Sequence, residues 1–109
     1  MQEVMAIVRP EKTGEVKRML IASGQPGYTC RRVTGRGKNH DALGVPIPLV
    51  PKRMFLIMVP DTAVPEIVSG LMDVCSEGNH GDGKVYVMPV ERSYHIHGGE
   101  GADTEEEGR

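Results

Sequence analysis

The longest β-forming run near the middle of the chain is Met54-Phe55-Leu56-Ile57-Met58-Val59. Neither alternate set of residues in this run is polar, which is typical of a strand buried on both faces rather than a strand at a sheet edge. The segment Glu3-Val4-Met5-Ala6-Ile7-Val8 has the same character after its first residue. The sequence therefore predicts two strands that lie in the centre of a sheet.

Two further segments predict strands at the sheet edges. Residues 28–34 are rich in β-formers but mixed in polarity, so at least one of their faces should be wet. Residues 84–90 place Val85 and Val87 on one face and contain Pro89, which cannot donate a ladder hydrogen bond. Both features favour an edge position over a central one.

Helical periodicity separates these strands. In residues 11–22, Val16, Met19 and Leu20 fall on one helical face, and Gly24 suits the C′ position that ends a helix. The second helix follows Pro60, with Asp61 and Thr62 as candidate N-caps. Its apolar face has the more regular spacing and consists of Val64, Ile67, Val68, Leu71, Met72 and Cys75.

The resulting order is β-α-β-β-α-β. This order predicts an α+β fold of the ferredoxin-like sandwich type, with two helices on one face of a four-stranded antiparallel sheet. The helices cover only one face, whereas the central strands are apolar on both. We therefore expect the other face to be buried between copies of the chain. Residues 1–97 form the predicted domain, and the acidic tail 98–109 is predicted to be disordered.

Composition argues against several functional classes. The 109 residues carry a net charge of −2 and have three Tyr, one Phe and no Trp, which disfavours nucleic-acid binding. Cys30 and Cys75 match no metal or disulfide spacing, and no apolar run is long enough for membrane insertion. These features predict a cytoplasmic protein.

The clearest candidate for a ligand site is Gly78-Asn79-His80-Gly81-Asp82-Gly83-Lys84. Three glycines allow a tight turn and close backbone approach, and Lys84 offers a charge-assisted donor, so the segment could cradle phosphate oxygens. It lacks the spacing and the following helix of a Walker A motif. A solvated hairpin-type loop is the alternative interpretation of these residues taken alone.

Four motifs in register resemble the PII signal-transduction family across residues 1–97. These motifs are the strand order, Gly35-x-Gly37 at the end of the second strand, Pro51-Lys52-Arg53 opening the third, and Gly81-Asp82-Gly83-Lys84 opening the fourth. The shortened 36–50 loop and the Leu49–Arg53 entry are closer to the nitrogenase-associated branch of that family.

The resemblance implies a homotrimer that binds ATP or ADP in clefts between subunits. It also implies a T-loop, here residues 37–50, that docks on a target protein, with Mg²⁺ and 2-oxoglutarate bound beside the nucleotide in typical members. Such a protein acts by population shift, not catalysis. In agreement, the sequence shows no catalytic constellation, and we expect no enzyme activity.

Site residues follow from the resemblance position by position. The implied nucleotide-binding residues are Thr29, Gly35, Arg36, Gly37, Lys38, Lys52, Gly81, Asp82, Gly83, Lys84, His95 and His97. The implied effector and partner residues are Asn39, His40, Asp41, Leu43, Val45 and Ile47.

Three departures from the family pattern change what is expected. His95 and His97 stand where the family has two phosphate-gripping arginines, so triphosphate binding should be weaker, pH-dependent or directed at a less charged nucleotide. Asn39 stands near the family glutamine that contacts magnesium and 2-oxoglutarate, which places sensing of that effector in doubt. Residues 37–50 contain no Tyr or Ser, so uridylylation or serine phosphorylation of this loop is excluded.

Two alternative functions remain open on the sequence. His95 and His97, with His40 or His80, could hold a metal ion in a ferredoxin-like trimer. A PII-like trimer could also have exchanged its ligand for another nucleotide or a small anion.

Overall fold

The computed structural model describes residues 1–36, 44 and 49–98. Short 3₁₀ turns precede both helices, and a third, at His80–Asp82, precedes the last strand. The elements confirm the predicted β-α-β-β-α-β order: β1 (Gln2–Val8), α1 (Thr13–Ala22), β2 (Thr29–Gly35), β3 (Val50–Val59), α2 (Val64–Cys75) and β4 (Gly83–Pro89).

The four strands form one antiparallel sheet in the order β2-β3-β1-β4. The two strands predicted to be apolar on both faces, β1 and β3, are central, and the two mixed strands are at the edges. Val4 of β1 lies opposite Ile57 of β3 and Val87 of β4, which sets the register of the central ladder. Pro89 lies on edge strand β4, where its missing N–H is tolerated.

The core lies between the sheet and the two helices. Alternate residues of the central strands point into it and are buried. The apolar faces predicted for the helices are buried only in part, since Met72 of α2 is 58% exposed. Fully burying each of the larger side chains contributes about 1.5–3 kcal/mol. The core consists of Val4, Ala6, Val8, Val16, Leu20, Phe55, Ile57, Val59, Ile67, Leu71 and Cys75.

The opposite side of the sheet, which we call the open face, carries the other alternate residues. It is rich in large apolar side chains, and both Met58 and Tyr86 are more than a third exposed. This face also carries Met5, Ile7, Met54, Leu56 and Met88, which are half-buried.

The structure corrects the predicted start of the third strand. β3 begins at Val50 rather than at Met54, because β2 continues to pair with it as far as Gly35 opposite Val50. Pro51 is tolerated there because β1 stops pairing at Arg53, so this part of β3 has a neighbour on one side only.

The predicted end of α1 is confirmed, whereas the predicted N-caps of α2 are wrong. Gly24 has φ +76° directly after α1, as predicted for C′, and the N–H of Gln25 bonds the carbonyl of Leu20 at 2.9 Å. Asp61 and Thr62 are not N-caps, because they lie inside a 3₁₀ turn whose cap is Pro60, and Ala63 caps α2. Neither α1 nor α2 has the length and apolar composition needed to cross a bilayer.

Candidate functional site at the glycine loop

The glycine loop, defined as residues 78–84, enters the sheet where three strands meet. β1 runs antiparallel to both β3 and β4, so its last residues lie beside the first residues of each. Val8 is opposite Gly83 on β4 and Arg53 on β3. The loop is therefore fixed to the end of a central strand, and side chains at the adjacent ends of these three strands lie near it.

Two glycines in the loop adopt backbone conformations that favour glycine. Gly78 has φ +77° and Gly83 has φ +121°. A Cβ on Gly83 would overlap the carbonyl oxygen of Ile7, whereas one on Gly78 would meet nothing within 4 Å. Close approach of the loop to β1 thus depends on Gly83.

The Asp82 carboxylate holds the loop from within. Its Oδ2 accepts hydrogen bonds from the backbone N–H groups of Glu77 at 2.7 Å and Asn79 at 3.1 Å. Asn79 and Asp82 also form a reciprocal capping box around the 3₁₀ turn. The bond from the Glu77 amide is the main reason that the pKa of Asp82 lies below its usual value. Asp82 therefore positions the loop, and its carboxylate is turned toward protein donors.

Ion pairs of Lys12 fix the segment just before the loop. The Lys12 ammonium lies 3.0 Å from Glu77 Oε2 and 3.4 Å from Glu15 Oε2. The hydrogen bond to Glu77 is the main cause of the raised pKa of Lys12. The start of α1 is thereby linked to the entrance of the glycine loop.

Lys52 lies beside the loop, and Lys84 is the last residue of the loop. Lys52 Nζ donates to the carbonyl of Gly81 at 2.8 Å. A Cβ on Gly35 would lie 4.0 Å from Lys52 Cγ, so Gly35 is also next to this lysine. Lys84 is exposed on the open face, with its Nζ 6.0 Å from the centre of the Tyr86 ring.

Arg9 is a site residue that the sequence reasoning missed. Its Nε lies 3.5 Å from Asp82 Oδ1, and its Nη2 lies 2.7 Å from where a Cβ of Gly81 would be. Only the strand order could have indicated it: Arg9 directly follows β1, at the end of the sheet where the glycine loop enters β4.

The other predicted residues are either exposed or outside the part of the chain that the structure describes. Thr29 is exposed on β2 and aligns through Leu56 and Met5 with Tyr86 of β4, about 14 Å away across three strand spacings. Arg36, His95 and His97 are exposed. The remaining predicted residues lie outside the described residues: Gly37, Lys38, Asn39, His40, Asp41, Leu43, Val45 and Ile47.

The described histidines do not assemble a metal centre. Across residues 1–36, 44 and 49–98, no group of three or more His, Cys, Asp or Glu side chains has the spacing to hold a metal ion. His40, which the metal hypothesis also used, lies outside that part of the chain.

Comparison with known proteins identifies the family. The family model described as "Nitrogen regulatory protein P-II" matches residues 1–100. The "Nitrogen regulatory protein P-II 2" of Methanothermobacter thermautotrophicus is 37% identical, covering 92% of each chain. The "Nitrogen fixation nifHD region GlnB-like protein 2" of Methanothermobacter marburgensis is 35% identical, covering 92% of this chain and 95% of the relative. The "Nitrogen fixation nifHD region glnB-like protein 2" of Methanococcus maripaludis is 36% identical, covering 84% of this chain and 88% of the relative. The chain therefore belongs to the nitrogen regulatory protein P-II family, as its motifs indicated.

Proposed function

We propose that this chain is a trimeric PII regulator that binds adenine nucleotide with its phosphates on the glycine loop and controls a target protein through residues 37–50. PII-family proteins are signalling regulators, not enzymes; they generally bind ATP or ADP and 2-oxoglutarate, and they act as trimers on partner proteins. The proposal assigns these properties to particular residues of this chain.

The observation that carries the proposal is the bond from Lys52 to the Gly81 carbonyl. Lys52 lies two residues after the proposed partner loop, and Gly81 lies in the proposed phosphate cradle. A phosphate on the cradle competes for the same ammonium, because charged oxygens are stronger acceptors than a carbonyl. Binding therefore changes the restraint at the base of residues 37–50, which is how a ligand can shift the population of loop conformations.

The names of the relatives favour a target in nitrogen fixation. Two of the proteins compared above are named for a nitrogen fixation nifHD region. We infer a partner of the same physiological class for this chain, engaged by Asn39, His40, Asp41, Leu43, Val45 and Ile47.

Isothermal titration calorimetry with ATP, ADP and AMP tests the proposal, with and without Mg²⁺ and 2-oxoglutarate, at pH 6 and pH 8. We expect ADP or ATP to bind, and a difference in affinity between the two pH values would show that an ionisable side chain contacts the phosphates. Enhancement by 2-oxoglutarate would show that Asn39 serves as well as the family glutamine.

Two outcomes would redirect the assignment. If none of the three nucleotides binds, nucleotide sensing is contradicted and the exchanged-ligand alternative is favoured. Titration with small anions would then be the next measurement. Binding of AMP alone would keep nucleotide sensing but exclude ATP and ADP as the ligands.

A further inference from the structure

We propose that two arginines on the helix side of the sheet, Arg32 and Arg53, form a docking surface for the acidic tail of this chain, residues 100–107. We call this pair the arginine face. It lies on the opposite side of the sheet from the open face. The inference goes beyond the proposed function and does not depend on nucleotide binding.

The register of the sheet places the two arginines directly opposite each other. Arg53 of β3 pairs with Arg32 of β2 on one side and with Val8 of β1 on the other. Val8 and Phe55, which lies two residues along β3 from Arg53, are both part of the core between the sheet and the helices. Arg32 and Arg53 therefore share the helix side of the sheet, where opposite Cβ atoms lie about 4.5–5.5 Å apart.

This arrangement is unfavourable without a counter-charge, because like charges directly opposite on neighbouring strands destabilise a sheet. Among the described residues, none of the ion pairs includes Arg32 or Arg53. A charge on an edge strand can prevent edge-to-edge aggregation, which would account for Arg32 on β2. It does not account for Arg53, because β3 is paired on both sides at that residue. The pair therefore indicates an anionic partner.

Charge is segregated between these two strands and the tail. Residues 28–36 and 49–60 contain no acidic residue, although the chain as a whole has a net charge of −2. Their basic residues are Arg31, Arg32, Arg36, Lys52 and Arg53. The acidic residues of the tail are Glu100, Asp103, Glu105, Glu106 and Glu107. Carboxylates match the planar fork of a guanidinium, so the tail has the chemistry that complements the arginine face.

Chain length permits this contact. β4 ends at Pro89, opposite Gln2 at the start of β1, whereas Arg53 lies opposite Val8 at its end. These two ends of β1 are about 20 Å apart at about 3.3 Å per residue. Glu105 follows Pro89 by 16 residues, which can span up to about 55 Å. The tail can therefore dock within one copy of the chain or between copies.

The docking is reversible and sensitive to salt. Arg32 is exposed and Arg53 is half-buried, and each ion pair at such a surface is weak on its own. Covalent attachment compensates in part, because a short flexible linker holds its ligand at an effective concentration of about millimolar. Arg32 and Arg53 also flank residues 37–50 in the sequence. An acidic surface on a target protein would therefore compete with the tail at the base of the proposed partner loop.

The test uses NMR spectra of the full-length protein at about 0.01 M and about 1 M salt, where the screening length is about 30 Å and about 3 Å. A neutral-tail variant carries Glu105→Gln, Glu106→Gln and Glu107→Gln. At low salt, we expect the Nε–Hε resonances of Arg32 and Arg53 to differ between this variant and the wild type. The difference should disappear at high salt. Arg18, exposed on α1, is the internal control and should give the same resonance in both proteins.

A synthetic peptide of residues 98–109 provides the second measurement. Added to the neutral-tail variant at low salt, it should restore the wild-type resonances of Arg32 and Arg53 and reach saturation. Arg32→Gln in the same background should weaken peptide binding about two- to fivefold. Arg18→Gln is the matched control variant and should leave the affinity unchanged.

Three outcomes would overturn the proposal. The first is identical Arg32 and Arg53 resonances in the wild type and the neutral-tail variant at low salt. The second is an equal response at Arg18, since the tail would then contact basic residues without preference. The third is a polyglutamate peptide that shifts Arg32 and Arg53 where the tail peptide does not, because the arginine face would then bind an acidic partner other than the tail. None of these results depends on nucleotide, so failure here is separate from failure of the proposed function.

Discussion

At the scale of single residues, Gly83 is the position where the site tolerates least change. Its φ is +121°, and an added Cβ would overlap the Ile7 carbonyl. We expect Gly83→Ala to displace the start of β4, to lower the free energy of unfolding by about 1–3 kcal/mol, and to abolish nucleotide binding. Urea unfolding and ADP titration measure the two effects.

Gly78→Ala is the matched control for this prediction. Gly78 also has a positive φ, +77°, but its Cβ would meet no atom within 4 Å. Gly78→Ala should lower the free energy of unfolding only by the strain of a left-handed alanine backbone, about 1–2 kcal/mol, and should retain ADP affinity. Equal loss of ADP binding in both variants would contradict the role given to the contact between Gly83 and Ile7.

The Asp82 carboxylate makes the order of the glycine loop depend on pH. Its pKa is lowered in the folded protein, chiefly by the hydrogen bond from the Glu77 amide. A lowered carboxyl pKa gives stabilisation that is complete above the unfolded value of 3.8 and is lost as pH falls through the folded value. We expect the Glu77 and Asn79 amides to lose exchange protection only below pH 3.8.

Asp82→Asn provides the comparison for that titration. The variant cannot ionise, so protection of the two amides should be weaker but flat across the same acidic range. A wild-type profile that is equally flat would show that the carboxylate charge does not hold the loop.

At the scale of elements, most of the fold could be predicted because a strand that is buried on both faces has apolar residues at nearly every position. The segments Glu3–Val8 and Met54–Val59 are central for that reason. The start of β3 at Val50 could not be predicted, since Pro51 reads as a breaker unless the missing neighbour on one side is known. Arg9 was missed because its role depends on which strands are adjacent, and local pattern carries no such information.

The contact between the two helices yields a prediction at this scale. A Cβ on Gly70 of α2 would lie 2.7 Å from Met19 Sδ of α1. Alanine in a helix is favoured over glycine by about 1 kcal/mol, and here the clash opposes that gain. We expect Gly70→Ala to be neutral or destabilising in the wild type and stabilising in a Met19→Ala background.

Thermal and urea unfolding of the four proteins in this double-mutant cycle measure the coupling. Residues in contact typically couple by about 0.5–3 kcal/mol. If the effect of Gly70→Ala is the same with and without Met19, the α1–α2 approach at this point is not set by the glycine.

At the scale of the whole molecule, the sheet has one face buried by helices and one open face rich in methionine. Both central strands present large apolar side chains on that open face, including Met5 and Leu56. A contiguous apolar surface of this kind marks an interface, and family members act as trimers. We therefore propose that the open face lies between subunits.

Met58→Asp tests this arrangement against Met72→Asp. Met58 is on the open face and 36% exposed, whereas Met72 is on α2, in the opposite layer, and 58% exposed. Neither change should prevent the single chain from folding, since both side chains reach solvent in it. If the open face is the subunit interface, burying the new carboxylate at position 58 is unfavourable.

Sedimentation should show a wild-type mass three times the 11.9 kDa of the chain. The same mass is expected for Met72→Asp and a lower mass for Met58→Asp, with its nucleotide binding lost as well, because a cleft shared by two subunits disappears with the trimer. A Met58→Asp protein that stays trimeric would place the interface elsewhere on the molecule.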